Sequence, residues 1–145
     1  MLPSLDPDTG ALPEGVHEAT WEEIVERFGW TEKRRRQLDG LAEAIDLLAA
    51  AGCQRVWLNG SFVTSKDEPG DFDACWDPDA VDIDLLDPVL LDLSPDGRRR
   101  QKDRFGGELF PNVVEAGSGL DFADFFQNQR DGSRKGIVLL HNGGS

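Results

Sequence analysis

Two short stretches of this chain carry residue types that could act together chemically. Asp71-Phe72-Asp73 places two carboxylates two residues apart, and in a strand that spacing sends both to one face. Such a pair offers hard oxygen ligands to a divalent cation such as Mg²⁺. Because like charges repel, the pair gains most when a cation neutralises it. Upstream, Asn59-Gly60-Ser61 follows directly on the apolar run Val56-Trp57-Leu58. A glycine there lets the backbone turn tightly and approach a ligand closely. N–H groups at a turn leading into a helix start suit a phosphate, and Ser61 adds a hydroxyl. Lys66 sits in the loop between the two stretches, where it has two readings, a phosphate contact or a solvated loop residue.

The elements that must position these residues follow from pattern. Pro3, Pro7, Pro13, Gly10 and Gly15 make residues 1–19 an irregular arm. Thr20-Trp21-Glu22-Glu23 is a capping box, after which Trp21, Ile24, Val25 and Phe28 share a helical face until Gly29. A second helix is predicted from Thr31 to about Ala51, with Leu38, Leu41, Ala42, Ile45, Leu48 and Ala49 in helical period. Arg55 to Leu58 reads as a buried strand. Asp71 to Trp76 reads as a second, with Phe72, Ala74 and Trp76 on one face and Asp71, Asp73 and Cys75 on the other. Ile83 to Leu93 reads as a short helix interrupted by Pro88, and Ser94-Pro95 opens another helix that ends near Phe105. Glu108-Leu109-Phe110 is a short third strand, Leu120 to Gln127 is helix-like, and Gly136 to Leu140 is a final strand. The fold class is α/β or α+β, a small mixed central sheet flanked by helices, in a single domain over residues 20–145.

Composition narrows the function classes. The 145 residues are 39% hydrophobic and 30% charged, an ordinary globular balance. No apolar run reaches bilayer-spanning length, and Met1 to Asp6 lacks the basic and apolar start of a secretory signal. Cys53 and Cys75 are too few for a disulfide framework and are expected to be reduced, so a cytoplasmic location is the expectation. The net charge of −13 repels phosphate backbones and disfavours bulk nucleic-acid binding. No Lys or Arg lies between Lys66 and Arg98, whereas cations cluster in Lys33 to Arg36, Arg98 to Lys102 and Arg130 to Lys135.

The order of these features resembles the signature of the polymerase-β-like nucleotidyltransferase superfamily: Leu58-Asn59-Gly60-Ser61, then Phe62 to Gly70, then Asp71-Phe72-Asp73. The chain is also similar to minimal, stand-alone bacterial nucleotidyltransferase-like proteins, some of which end much like Phe125-Phe126-Gln127 and Arg130 to Val138. The resemblance implies a nucleotidyltransferase-like fold and a Mg²⁺-dependent transfer of a nucleotidyl group from a nucleoside triphosphate to an acceptor hydroxyl. It implies that Gly60-Ser61 holds the β and γ phosphates. Asp71 and Asp73 would bind two Mg²⁺ ions, and a third carboxylate on a later strand would share a metal. Glu108 occupies the place the pattern gives that third acid, with Asp82, Asp84 and Glu115 as competitors.

Other residue patterns favour plainer roles. Arg34-Arg35-Arg36 lies on a helix, so its members point in different directions and read as a solvated face. Arg130 and Lys135 could serve an anionic ligand or cap a helix end and offset nearby acids. The four tryptophans read as core or interface aromatics. His17 and His141 have no zinc-ligand spacing, Asp77-x-Asp79 fails as a calcium loop because Asp82 stands where Gly is needed, and no P-loop or nucleophile-elbow motif occurs. The alternative to an enzyme is a catalytically silent, nucleotidyltransferase-like binding module that acts through a protein partner, as in a toxin–antitoxin or defence pair.

Overall fold

The computed structural model describes residues 2–113 and 135–141. A five-stranded mixed sheet is assembled in the order β1-β5-β2-β3-β4, from β1 (Val16–Ala19), β2 (Arg55–Asn59), β3 (Phe72–Trp76), β4 (Gly107–Pro111) and β5 (Ile137–His141). Among the described residues three helices accompany it: α1 (Trp21–Phe28), α2 (Glu32–Ala50) and α3 (Pro95–Phe105). This is the expected α+β architecture with a small mixed sheet.

Local signals set most element ends. Thr20 and Glu23 form both halves of the capping box of α1, and Thr31 accepts from Arg34 N to start α2. Ser94 caps α3 with Pro95 in its first turn, and Gly106, in the left-handed region at φ 86°, ends it. Each such cap stabilises its helix by about 1 kcal/mol.

The alternation within the strands divides the sheet into two faces. Val56, Leu58, Phe72, Ala74, Trp76, Leu109, Val138 and Leu140 join the main core with Ile24, Phe28, Leu38, Leu41, Ala44, Leu48 and Phe105 of the helices. Trp57, Cys75, Ile137 and Leu139 form a smaller apolar cluster on the other face. Asp73 and Glu108 belong to this second face, because β2, β3 and β4 pair Asn59 with Asp73 and Asp73 with Glu108. α3 packs against α2 so closely that a Cβ on Gly40 would collide with the Phe105 carbonyl. Gln101 of α3 accepts from Leu109 N–H at 2.8 Å and donates to the Val89 carbonyl at 2.9 Å. α3 is thereby held beside β4, the last strand of the sheet.

Three expectations are corrected. Residues 1–19 are not wholly irregular: Val16–Ala19 is a strand paired in parallel with β5, and Leu2, Ala11 and Leu12 are buried. The segment 83–93 holds two separate 3₁₀ turns, Ile83–Leu85 and Pro88–Leu90, because Pro88 lacks the N–H that a continuous helix needs. Arg34 is not on a solvated face but fully buried. The helix expected at Leu120 to Gln127, together with Glu115 and Arg130, lies outside the described residues. Among the described residues no helix is long and apolar enough to cross a membrane.

Candidate functional site

The Gly-Ser turn and the Asp-x-Asp strand meet. β2 ends at Asn59 opposite Asp73, and the chain leaves it through a single 3₁₀ turn, Gly60–Val63. Gly60 has φ +79°, a conformation that only glycine adopts without strain. It also stands against the acid: a Cβ at position 60 would lie 2.5 Å from Asp73 Oδ2. The turn therefore requires glycine, and the missing side chain also leaves room for the carboxylate where it stands.

β4 brings the third acid. Asp73 and Glu108 are register partners in the parallel β3–β4 pair, and Asp71 precedes β3 by one residue. Burial, then the charges of Asp71 and Glu108, push the Asp73 carboxyl up to about 6, with Lys135 and Lys102 only partly offsetting them. Asp71, Asp73 and Glu108 thus share one electrostatic neighbourhood. The competing acids Asp82 and Asp84 belong instead to the segment that follows the far end of β3.

Helix α3 supplies cations to the cluster. Arg98 donates to Glu108 Oε2 through Nε (3.1 Å) and Nη2 (2.9 Å). Lys102 Nζ lies 3.0 Å from Glu108 Oε1 and 3.4 Å from Asp71 Oδ2. The hydrogen bond to Glu108, then the charges of Glu108 and Asp71, hold the Lys102 ammonium above its ordinary range. Lys135, which precedes β5, is drawn below its ordinary range by burial, against the pull of Asp73. Among the described residues no three His, Cys, Asp or Glu side chains are gathered as a ready metal shell. The ammonium of Lys102 stands between two of the carboxylates instead.

Asn59 adds an unmet donor. It is 1% exposed, and among the described residues its Nδ2 has no hydrogen-bond partner. An orphaned buried amide costs on the order of 1–3 kcal/mol. Its pairing with Asp73 puts it on the same face of the sheet as the acids.

Residues 3–141 match a family of unknown function, DUF6932. The chain belongs to that family. No curated protein and no solved structure matches it. The DUF6932 match spans the turn, both aspartates and Glu108, so the whole cluster lies within the family's own extent.

Sequence reasoning missed what holds this DUF6932 site in shape. Arg34 reaches from α2 beneath the loop that follows Gly60-Ser61. It donates to the carbonyls of Phe62 (2.7 Å), Thr64 (2.8 Å), Lys66 (3.0 and 2.6 Å) and Phe28 (3.2 Å). Its guanidinium also stacks 3.7 Å from the Trp30 ring centroid. Burial lowers its pKa to about 10, so it remains charged at neutral pH. Trp30 Nε1 binds Asp67 Oδ1, Thr31 Oγ1 binds the Asp67 carbonyl, and Gln37 Nε2 binds the Pro69 carbonyl. The β2–β3 loop is thus stitched to α2 and to the turn before it. Lys66 contributes its carbonyl to this network, while its side chain is exposed. The signal in the sequence was the buried turn of α2 itself: position 34 lies four residues before the apolar Leu38.

Proposed function

We propose that this DUF6932 chain is a Mg²⁺-dependent nucleotidyltransferase that moves a nucleotidyl group from a nucleoside triphosphate to an acceptor hydroxyl. The observation that carries the reading is the contact of the Gly60 turn with Asp73, with Asp71 before the same strand and Glu108 in register on the next. The donor chemistry fits the metal: three carboxylates supply hard oxygen ligands, and burial, then the charges of Asp71 and Glu108, raise the Asp73 carboxyl, a combination that a bound cation would offset. Asp71, Asp73 and Glu108 would hold Mg²⁺, which supplies charge neutralisation for an in-line displacement at the α phosphorus. Gly60 and Ser61 would bind the β and γ phosphates through the turn's backbone. Lys135, half-buried and within the electrostatic reach of Asp73, would serve an anionic group. Asn59 Nδ2, without a partner among the described residues, would donate to an oxygen of the substrate. A net charge of −13 favours a small or protein acceptor over bulk nucleic acid. Cys53 and Cys75 are not joined by a disulfide, which goes with a cytoplasmic setting.

A second reading has its own observation. Both oxygens of Glu108 are engaged by Arg98 and Lys102, an internal neutralisation that suits a catalytically silent module acting through a protein partner. Labelled triphosphates and candidate acceptors separate the two readings. Wild type is expected to label an acceptor and the Asp71→Asn/Asp73→Asn double variant is not. Equal labelling by both would remove the catalytic reading, and partner capture from the native host without any triphosphate binding would favour the second.

A further inference from the structure

We propose that Lys102 is a built-in counter-cation that holds the site against the divalent metal and must withdraw when the metal binds. The inference rests on the metal-dependent reading above and adds a regulation to it.

The geometry is specific. One ammonium lies within 3.4 Å of carboxylate oxygens from Asp71 and Glu108, two of the three proposed ligands, which come from different strands. It therefore occupies the electrostatic centre that a cation ligated by both acids would take. Arg98 holds the other oxygen of Glu108, so this acid has no free oxygen while both α3 cations are in place. Asp73, in contrast, receives only partial compensation from Lys102 and Lys135.

Lys102 can also leave. Its side chain is 48% exposed, and a lysine is a point charge on a flexible four-carbon stem, unlike the planar guanidinium of Arg98. Withdrawal requires no movement of the helix, which is fixed by the close contact of Gly40 with Phe105 and by the Gln101 bonds. The ammonium keeps the acids together in the metal-free protein, so the site is assembled in advance. The same ammonium weakens metal binding, because each incoming ion must first displace it. Metal occupancy then depends on the local cation concentration, and a triphosphate that delivers its own Mg²⁺ brings phosphate oxygens to receive the released ammonium.

Mn²⁺ serves as the probe, with binding followed by electron paramagnetic resonance and calorimetry on the full chain in about 0.15 M salt. Lys102→Met is expected to bind Mn²⁺ about five- to tenfold more tightly than wild type, from the loss of two ion-pair contacts. It is also expected to melt at a lower temperature without metal and at the wild-type temperature when Mn²⁺ is saturating. Lys102→Arg, which keeps the charge, should return the affinity towards wild type. Arg99→Met removes an equal charge from the same helix, at a side chain that is 71% exposed and paired with Asp96, and should change affinity by less than about twofold. Equal or weaker binding by Lys102→Met would overturn the counter-cation role and leave the metal site standing. Failure of wild type and Lys102→Met alike to bind Mn²⁺ would overturn the metal site, and this role with it.

Discussion

Replacing Asp73 with Asn should make the metal-free protein more stable. The Asp73 carboxyl, with an ordinary value of 3.8, is pushed up to about 6 by burial and by Asp71 and Glu108. A tenfold change in a carboxyl's acidity corresponds to about 1.4 kcal/mol of differential interaction. The rise from 3.8 to about 6 therefore sets an upper limit of about 3 kcal/mol, and partial solvent screening reduces it to about 2 kcal/mol. The sign follows from linkage. A carboxyl whose folded pKa is raised favours the folded state fully below the unfolded value of 3.8, and that contribution is lost as pH rises through about 6. At about pH 7.5 the ionised Asp73 is a net cost, which an isosteric amide removes. Thermal melts in chelator at that pH should place Asp73→Asn about 4–8 °C above wild type. The gap should shrink as pH is lowered to about 4.5, where the wild-type carboxyl protonates. Adding millimolar Mg²⁺ should reverse the order, because only wild type keeps the ligand and gains stability in proportion to the logarithm of metal concentration. A variant that is no more stable than wild type in chelator at about pH 7.5 would refute the reasoning that burial, with the neighbouring acids, disfavours the ionised Asp73.

Three further substitutions test how the site is positioned. Gly60→Val forces a β-branched residue into the left-handed region and against Asp73 Oδ2; chemical denaturation should record a loss of about 1–3 kcal/mol, and Mg²⁺ should no longer stabilise the protein. Arg34→Met leaves the carbonyls of Phe62, Thr64 and Lys66 without their donor and should cost about 3–5 kcal/mol in urea unfolding, whereas the exposed neighbour Arg35→Met should stay within about 0.5 kcal/mol. Gly40→Val drives a side chain into the Phe105 carbonyl; equilibrium unfolding should show a loss of about 2 kcal/mol or more, and calorimetry a change in Mn²⁺ affinity as α3 shifts with Arg98 and Lys102.

What the sequence disclosed was governed by range. Helix starts at Thr20, Thr31 and Ser94 were legible because a hydroxyl and its capped N–H lie three residues apart, so the information is local. The faces of β3 were legible because alternation alone separates Phe72, Ala74 and Trp76 from Asp73 and Cys75. β1 was not, since four residues beside Pro13 and Gly15 become a strand only through pairing with Ile137–Leu140, far along the chain. Arg34 was misread for the same reason. A charged residue on a helix is by default solvated, and only the folded paths of residues 62–66 and of the turn at Phe28 gather the carbonyls that satisfy it. Asp71 and Asp73 could be nominated from order and spacing, and Glu108 only through the family resemblance. Lys102 and Lys135 could not be assigned to them, because α3 and the start of β5 meet the acids only in three dimensions.

The most direct test of the central claim is a crystal structure of the protein with Mn²⁺ and a non-hydrolysable triphosphate, read by anomalous scattering. The expected result is a Mn²⁺ peak bound by Asp71, Asp73 and Glu108, phosphate density against the Gly60 turn, and the Lys102 ammonium moved away from Asp71. A Mn²⁺ peak elsewhere, or triphosphate density with Lys102 still bridging Asp71 and Glu108 and no metal between the acids, would contradict it.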